Sequence, residues 1–499
     1  MNREAAFRAA SRAVAPAPYA LSRWIFLRGL GAIYIVAFVS FGVQAQGLIG
    51  PDGILPAQDL LAAVRSQTGV ERYYFVPTVL WLGAGARALD LVVALGVAAS
   101  VLLLLDRLPR AGAFAAWALY LSLVSVGQDF LSFQWDVLLL EAGLIAVLLA
   151  PGGSRRDGRA TVPWLLAVLV WFLLFRLTFE SGIVKLTSGD PTWRNLTALD
   201  YHYWTQPLPT WTAWYADLAP EAIKKLSVLL TFVLEIVVPP LMFFGRRPRR
   251  AACAGIAGLQ VLILATGNYT FFNLLTIALA VMLIDDPIWR RILPARIIRA
   301  VLGDAELPAA PARLGRLPIG AGLVLLALGA LSLWTAVIPG ARLPATLTAP
   351  LRIVDPFRSI NSYGLFRVMT TEREEIVIEG SDDGEAWETY RFKYKPGDPN
   401  RRPGFVEPHQ PRLDWQMWFA ALSRFEATPW FQAFLARLLQ GSPPVLGLLA
   451  GNPFPAHPPR YIRALLYDYR FSTAAERRRT GAWWSRRLVG AYSPVVSLK

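Results

Sequence analysis

At 499 residues the chain is long enough for two or three soluble domains. Yet 55% of it is hydrophobic and only 17% charged, which leaves too little polar surface for water and points to a membrane. Long apolar blocks exclude a disordered chain, and the single cysteine, Cys253, excludes an intrachain disulfide, a dithiol relay and a cysteine-rich zinc site. A net charge of +15 suits either a nucleic-acid binder or a membrane protein with basic cytoplasmic loops, and the placement of the arginines separates the two.

In chain order, nine stretches approach the roughly 20 apolar residues that cross a bilayer: 24–43, 81–105, 111–126, 135–150, 163–179, 226–244, 251–266, 270–284 and 318–338. Four of these are short, so eight or nine transmembrane helices are expected. With the N-terminus inside, the inner segments 1–21, 106–110, 151–161, 245–250 and 285–317 hold 18 Lys and Arg. The outer segments 44–80, 127–134, 180–225 and 267–269, although longer in total, hold 6. Cytoplasmic loops collect Lys and Arg, so the asymmetry predicts an inside N-terminus and an odd number of spans. Arg246, Arg247, Arg249 and Arg250 then read as a topology anchor, and no nucleic-acid partner is expected. Arg3, Arg8 and Arg12 before a long apolar run resemble a signal peptide, but the length of the run favours an uncleaved first helix. The Arg- and Ala-rich, Lys-poor composition suggests a bacterial plasma membrane.

Beyond residue 338 the pattern changes. Residues 345–499 carry 21 Lys and Arg and 15 Asp and Glu, with short alternations in place of long apolar runs. The expected architecture is a helical polytopic domain over 1–340 and a soluble α+β domain over 345–499 on the outer side. Alternation over 375–379 and 387–395 about a Gly-Ser-Asp-Asp-Gly turn predicts a β-hairpin. Short aromatic-rich helices are expected over 412–425 and 430–439, and a closing strand over 461–471.

Ionisable side chains within spans are costly, so each is a candidate for function. Asp90 falls deep in the second predicted span, Asp136 and Glu141 at the start of the fourth, Arg176 and Glu180 one turn apart in the fifth, and Glu235 in the sixth, with Asn268 and Asn273 at the turn before the eighth. Most lie toward the outer side. They read either as an outward-facing polar pocket or as helix-to-helix ties. Lys185, leaving the fifth span, could be a catalytic base or a snorkelling cation beside an interfacial belt of Trp193, Trp204, Trp211 and Trp214. His202 joins the pocket candidates, and no metal or cofactor site is expected. In the C-terminal part Tyr363, Arg412, Trp415, Trp418 and Trp430 are either core residues or anchors for a bound partner.

Certain motifs are more specific. The runs Asn361-Ser362-Tyr363-Gly364-Leu365-Phe366, Pro408-His409-Gln410-Pro411-Arg412-Leu413-Asp414-Trp415 and Asn452-Pro453-Phe454-Pro455 resemble the lipase maturation factor family. So do Gly127-Gln128-Asp129-Phe130, Gln134-Trp135-Asp136 and Tyr201-His202-Tyr203 in the membrane half. The resemblance implies a polytopic protein, of the endoplasmic reticulum in animals, whose C-terminal domain on the non-cytosolic side helps secreted lipases or other exported clients to fold and assemble. Gly182-Ile183-Val184-Lys185-Leu186 with Trp193 is also similar to the membrane domain of vitamin K-dependent carboxylases, which implies the alternative of an embedded enzyme with Lys185 as its base.

Overall fold

The computed structural model describes residues 19–151, 162–302, 316–338 and 344–498. Arg3, Arg8, Arg12, Arg155, Arg156, Arg159 and Arg313, which carry part of the charge asymmetry, lie outside the described residues. The membrane half is built from α1 (Ala20–Ile49), α2 (Ala86–Leu104), α3 (Pro109–Val126), α4 (Gln134–Leu149), α5 (Trp164–Thr187), α6 (Glu221–Phe232), α7 (Arg246–Thr266), α8 (Phe272–Val281) and α9 (Arg316–Val337). Shorter helices cover Leu199–Thr205 and Trp211–Asp217 between α5 and α6. Small residues let the backbones close up: a Cβ on Gly31 of α1 would stand 2.8 Å from the Leu104 nitrogen of α2. The α5 window is 67% buried and sits at the centre, whereas the windows of α6, α7 and α9 are 22% buried and face outward.

The span count is lower than expected. Among the described residues six helices are long and apolar enough to cross, namely α1, α2, α5, α6 with its extension to Phe243, α7 and α9. A seventh counts only if α8 and the helix Asp286–Ile292, bent by 108°, form one broken span. The expectation of eight or nine is not confirmed at the short stretches. α3 opens on Pro109 and Arg110, α4 has 16 residues and α8 has 10. The bend after α8 is fixed by Asp286, which accepts the Ala20 and Leu21 N–H groups left unpaired at the start of α1 (3.1 and 2.9 Å). Asp90 is not deep either: it lies in the second turn of α2, exposed, and accepts from Gln46 Nε2 at 2.8 Å.

The C-terminal part holds an antiparallel sheet of order β2-β1-β3-β4, with β1 (Glu374–Ser381), β2 (Glu388–Thr389), β3 (Tyr461–Phe471) and β4 (Trp484–Ala491). The inward residues Ile376 and Ile378 of β1 and Ile462 and Ala464 of β3 share a core with α10 (Arg412–Ala421) and α11 (Pro429–Leu439). That core runs without a break into residues of α1, α3 and α4. β3 falls where the alternation places it. The second hairpin arm is shorter than expected, because the Tyr394 and Lys395 N–H groups turn away to Asp414 Oδ1 (2.8 Å each). β4 has no apolar alternation to announce it.

The predicted tryptophan belt is corrected as well. Trp193, Trp204 and Trp214 are buried, the last two against Trp483 and Trp484 beneath the sheet, and Trp214 Nε1 donates to the Ser472 carbonyl at 2.8 Å. Indoles that packing removes from water and satisfies with hydrogen bonds have no reason to seek headgroups.

Candidate functional site: a seam and a cavity among the helices

The pocket candidates Asp136, Glu141, Arg176, Glu180, Lys185, His202 and Glu235 fall into two groups. The first is a seam along which the C-terminal chain inserts between helix ends. Arg412, at the start of α10, grips Asp136 of α4 with both terminal nitrogens (2.9 and 2.8 Å) and donates to the Phe130 carbonyl at 2.6 Å, while Tyr120 of α3 donates to the same carboxylate at 2.5 Å. Both charges are buried. Planar, two-pronged recognition is what guanidinium does and ammonium cannot. Beside it, Ser40 and Gln44 of α1 hold the strand leading into α10: the Gln410 N–H donates to Ser40 Oγ at 2.8 Å and the Arg412 N–H to Gln44 Oε1 at 2.8 Å.

A second knot closes the seam further along. Arg176 donates to Glu141 Oε1 at 2.6 Å and to the Asn361 carbonyl, and it stands 3.5 Å from Glu180 one turn below. Glu141 accepts the Tyr363 hydroxyl at 2.7 Å, and Glu180 accepts the Tyr363 N–H at 2.7 Å. Asp136, Glu141, Arg176 and Glu180 thus tie the helices to the C-terminal chain, and Glu141 and Arg176 also line a small cavity of about 10 Å³. The proposed anchors Tyr363, Arg412, Trp415 and Trp430 are buried on the other side of the same seam, at 1 to 4% exposure. Trp418 is half-buried and donates to the Thr205 carbonyl at 2.8 Å. They face the helices, and Trp415 and Trp430 also line a cleft of about 410 Å³ together with Phe133 and Trp135.

The second group surrounds a cavity of about 140 Å³ between α5, α6, α7 and α8, roofed by Leu365 and Phe366. Lys185 and Glu235 meet in its wall, Nζ donating to both carboxylate oxygens at 2.7 and 2.6 Å, with the Trp193 ring 5.3 Å from the ammonium. Local backbone geometry creates this pair. α6 widens into a π-helical turn over Val233–Val237, and Gly182 of α5 lets that turn approach. A Cβ on Gly182 would stand 2.5 Å from Ile236 Cγ1 and 2.9 Å from Glu235 Cβ. Lys185 is one turn on, level with Glu235. Lys185 is thereby held between a carboxylate and an indole.

His202 enters the cavity from the loop beyond α5. Burial, reinforced by the Lys185 charge, pushes its pKa down to about 4, so the ring is neutral at ordinary pH. The Tyr269 hydroxyl donates to Gln206 Oε1 at 2.9 Å, so its 3.3 Å contact with His202 Nε2 makes that nitrogen the donor and leaves Nδ1 bare. Gln260 and Asn273 complete the polar wall, and the sequence singled out only the asparagine. A glutamine amid the apolar residues of α7 was the available signal for the other.

The membrane-half geometry and the inserted C-terminal chain correspond to two halves of one family. Residues 21–291 match the profile of the lipase maturation factor transmembrane domain, and residues 359–494 match that of the lipase maturation factor C-terminal domain. The chain belongs to the lipase maturation factor family. It is 39% identical to lipase maturation factor 2 of Rattus norvegicus across 95% of this chain and 83% of the rat protein. Against the Homo sapiens protein of that name it is 39% identical, with 96% and 83% covered. Lipase maturation factor 1 of Bos taurus is 36% identical, with 96% and 89% covered. No solved structure matches. Both lipase maturation factor profiles cover residues of the seam: Asp136, Glu141, Arg176 and Glu180 fall in the first, Tyr363 and Arg412 in the second.

Proposed function

We propose that this chain is a membrane-anchored maturation factor for exported proteins such as lipases, with the helices through residue 340 as anchor and residues 345–499 as the client-facing part. Family membership over nearly the whole chain carries the reading, since the relatives are named for lipase maturation at both 39% and 36% identity. The arginine asymmetry, with α8 and the helix Asp286–Ile292 counted as one broken span so that the number is odd, supports an extracytoplasmic C-terminal face, in a bacterial plasma membrane or, in a eukaryote, the endoplasmic reticulum. Arg249 and Arg250 cluster with Tyr19 and Asp285 at the start of α1, whereas the C-terminal chain meets Ser40 and Gln44 near its end.

Because the seam tryptophans are buried, the client surface proposed here is the edge of the sheet. β4 pairs with β3 alone among the described strands, and Ser485–Val489 are exposed, with Leu488 and Val489 at 53 and 52% beside Arg486 and Arg487. A free edge with apolar side chains and flanking charge can take an extended client segment as an added strand. The test is complementation of cells lacking their own lipase maturation factors, reading secreted lipase activity. The intact chain should restore activity, and Leu488→Asp with Val489→Asp should lower it at least about tenfold while leaving membrane abundance unchanged. Background activity with the intact chain present in the membrane would sink the maturation role; full activity in the double variant would sink the edge alone.

A further inference from the structure

The cavity between α5 and α8 has a wall that the fold does not use. Asn273 is fully buried and neither amide atom has a hydrogen-bond partner, and Gln260, 5% exposed, has an unpartnered Oε1. Both line the cavity. Buried amides left without partners are costly, and two hydroxyls satisfy them by donating to Asn273 Oδ1 and Gln260 Oε1 and accepting from Asn273 Nδ2. The rest of the lining mixes apolar Leu177, Leu199, Leu259, Ile263, Phe272 and Leu365 with the hydroxyls of Thr178, Ser181, Thr231 and Thr276. The shape is amphipathic.

Charge narrows the occupant. Lys185 and Glu235 neutralise one another, and a charged headgroup would add an unpaired charge at low dielectric. Size narrows it further. A cavity of about 140 Å³ admits a small polar head but not a whole lipid, being close to the roughly 150 Å³ that takes up benzene. Its chain must therefore leave the protein. Thr231 of α6 and Leu259 and Ile263 of α7 form one side, and their helix neighbours Leu229, Leu230, Val261 and Leu262 are 46 to 57% exposed on the outward-facing surface. An exit on this side would lead into hydrocarbon.

We propose that this cavity binds the head of an uncharged, hydroxyl-bearing lipid of the monoacylglycerol type, with its hydroxyl groups on Asn273 and Gln260 and its acyl chain passing between α6 and α7 into the bilayer. Binding here is independent of which client the C-terminal part serves. The test uses the full chain in nanodiscs and a monoacylglycerol carrying a diazirine near the head and an alkyne on the tail, with a matching fatty acid and a phosphatidylcholine as charged controls. Labelling should fall on peptides from residues 259–276, be competed by unlabelled monoacylglycerol, and exceed that of both controls. Asn273→Leu should reduce it by about tenfold, and so should Thr276→Phe, which fills the cavity from a different position. Thermal unfolding of each variant confirms a folded protein, and a monoacylglycerol-dependent rise in Tm of the unaltered chain is a readout that needs no variant. Equal labelling by the charged lipids, labelling unchanged in both folded variants, or no labelling and no Tm rise, as expected if ordered water alone satisfies the amides, would overturn the proposal.

Discussion

Arg412 and Asp136 form a buried, two-pronged pair, so the cost of breaking it differs from the cost of replacing it. Arg412→Met strands a carboxylate among Tyr120, Phe130 and Phe41, and a loss of about 3–5 kcal/mol is expected in chemical unfolding of the detergent-solubilised protein. Adding Asp136→Leu removes the stranded charge and should recover most of that loss. A double variant no more stable than the single one would show that the pair does not hold the seam. Titration adds a second residue-scale test. Burial pushes Glu407, which accepts the Tyr269 N–H, up to about 8. A carboxyl whose folded pKa is raised gives stability that is complete below about 4.5 and fades as pH rises toward 8. Glu407→Gln keeps the acceptor without the charge, so it should flatten the fall in Tm between pH 5 and pH 8. His202 has the opposite sign: with its pKa depressed to about 4, its share is present above about 6.5 and lost on acidification toward 4.

Among the elements, the contact between α5 and the π-turn of α6 rests on one missing side chain. Gly182→Ala would force its Cβ to within 2.5 Å of Ile236 Cγ1, and a destabilisation of about 1–3 kcal/mol is expected. Ile236→Ala in the same chain removes the clashing atom and should return part of the Tm; no rescue would place the strain elsewhere. The sequence displays Gly182, Lys185 and Glu235 but not that they meet, because a π-turn within 226–244 leaves no mark. What periodicity can express was legible: α5, α7, β3 and the starts of α10 and α11. β4 was not, because Arg486 and Arg487 interrupt its alternation. The seam was not, because Arg412 and Asp136 lie 276 residues apart, far beyond the reach of any local pattern. Asp136, Glu141, Arg176, Glu180, Tyr363 and Arg412 were conspicuous alone, Ser40, Gln44 and Tyr120 were not, and only the fold decides that Glu141 meets Tyr363 while Lys185 meets Glu235.

At the scale of the whole molecule, α1 spans the distance that matters. Its 30 residues measure about 45 Å. Arg249 meets Tyr19 at one end, and the C-terminal chain is bonded to Gln44 near the other. If the basic end is cytoplasmic, the β4 edge is delivered to the compartment that exported clients enter, and the maturation role requires this. The single cysteine makes the test clean, because Cys253 is half-buried, with its thiol against the Ala280 carbonyl at 3.3 Å, and Cys253→Ser leaves a chain with no thiol. On that background Leu488→Cys and Arg247→Cys place single exposed thiols at the two ends. In sealed spheroplasts a membrane-impermeant maleimide should label the Leu488→Cys chain at once and the Arg247→Cys chain only after permeabilisation. The reverse pattern would put the sheet edge in the cytoplasm, where no exported lipase folds, and would end the proposed role even though the seam and the cavity remained as described.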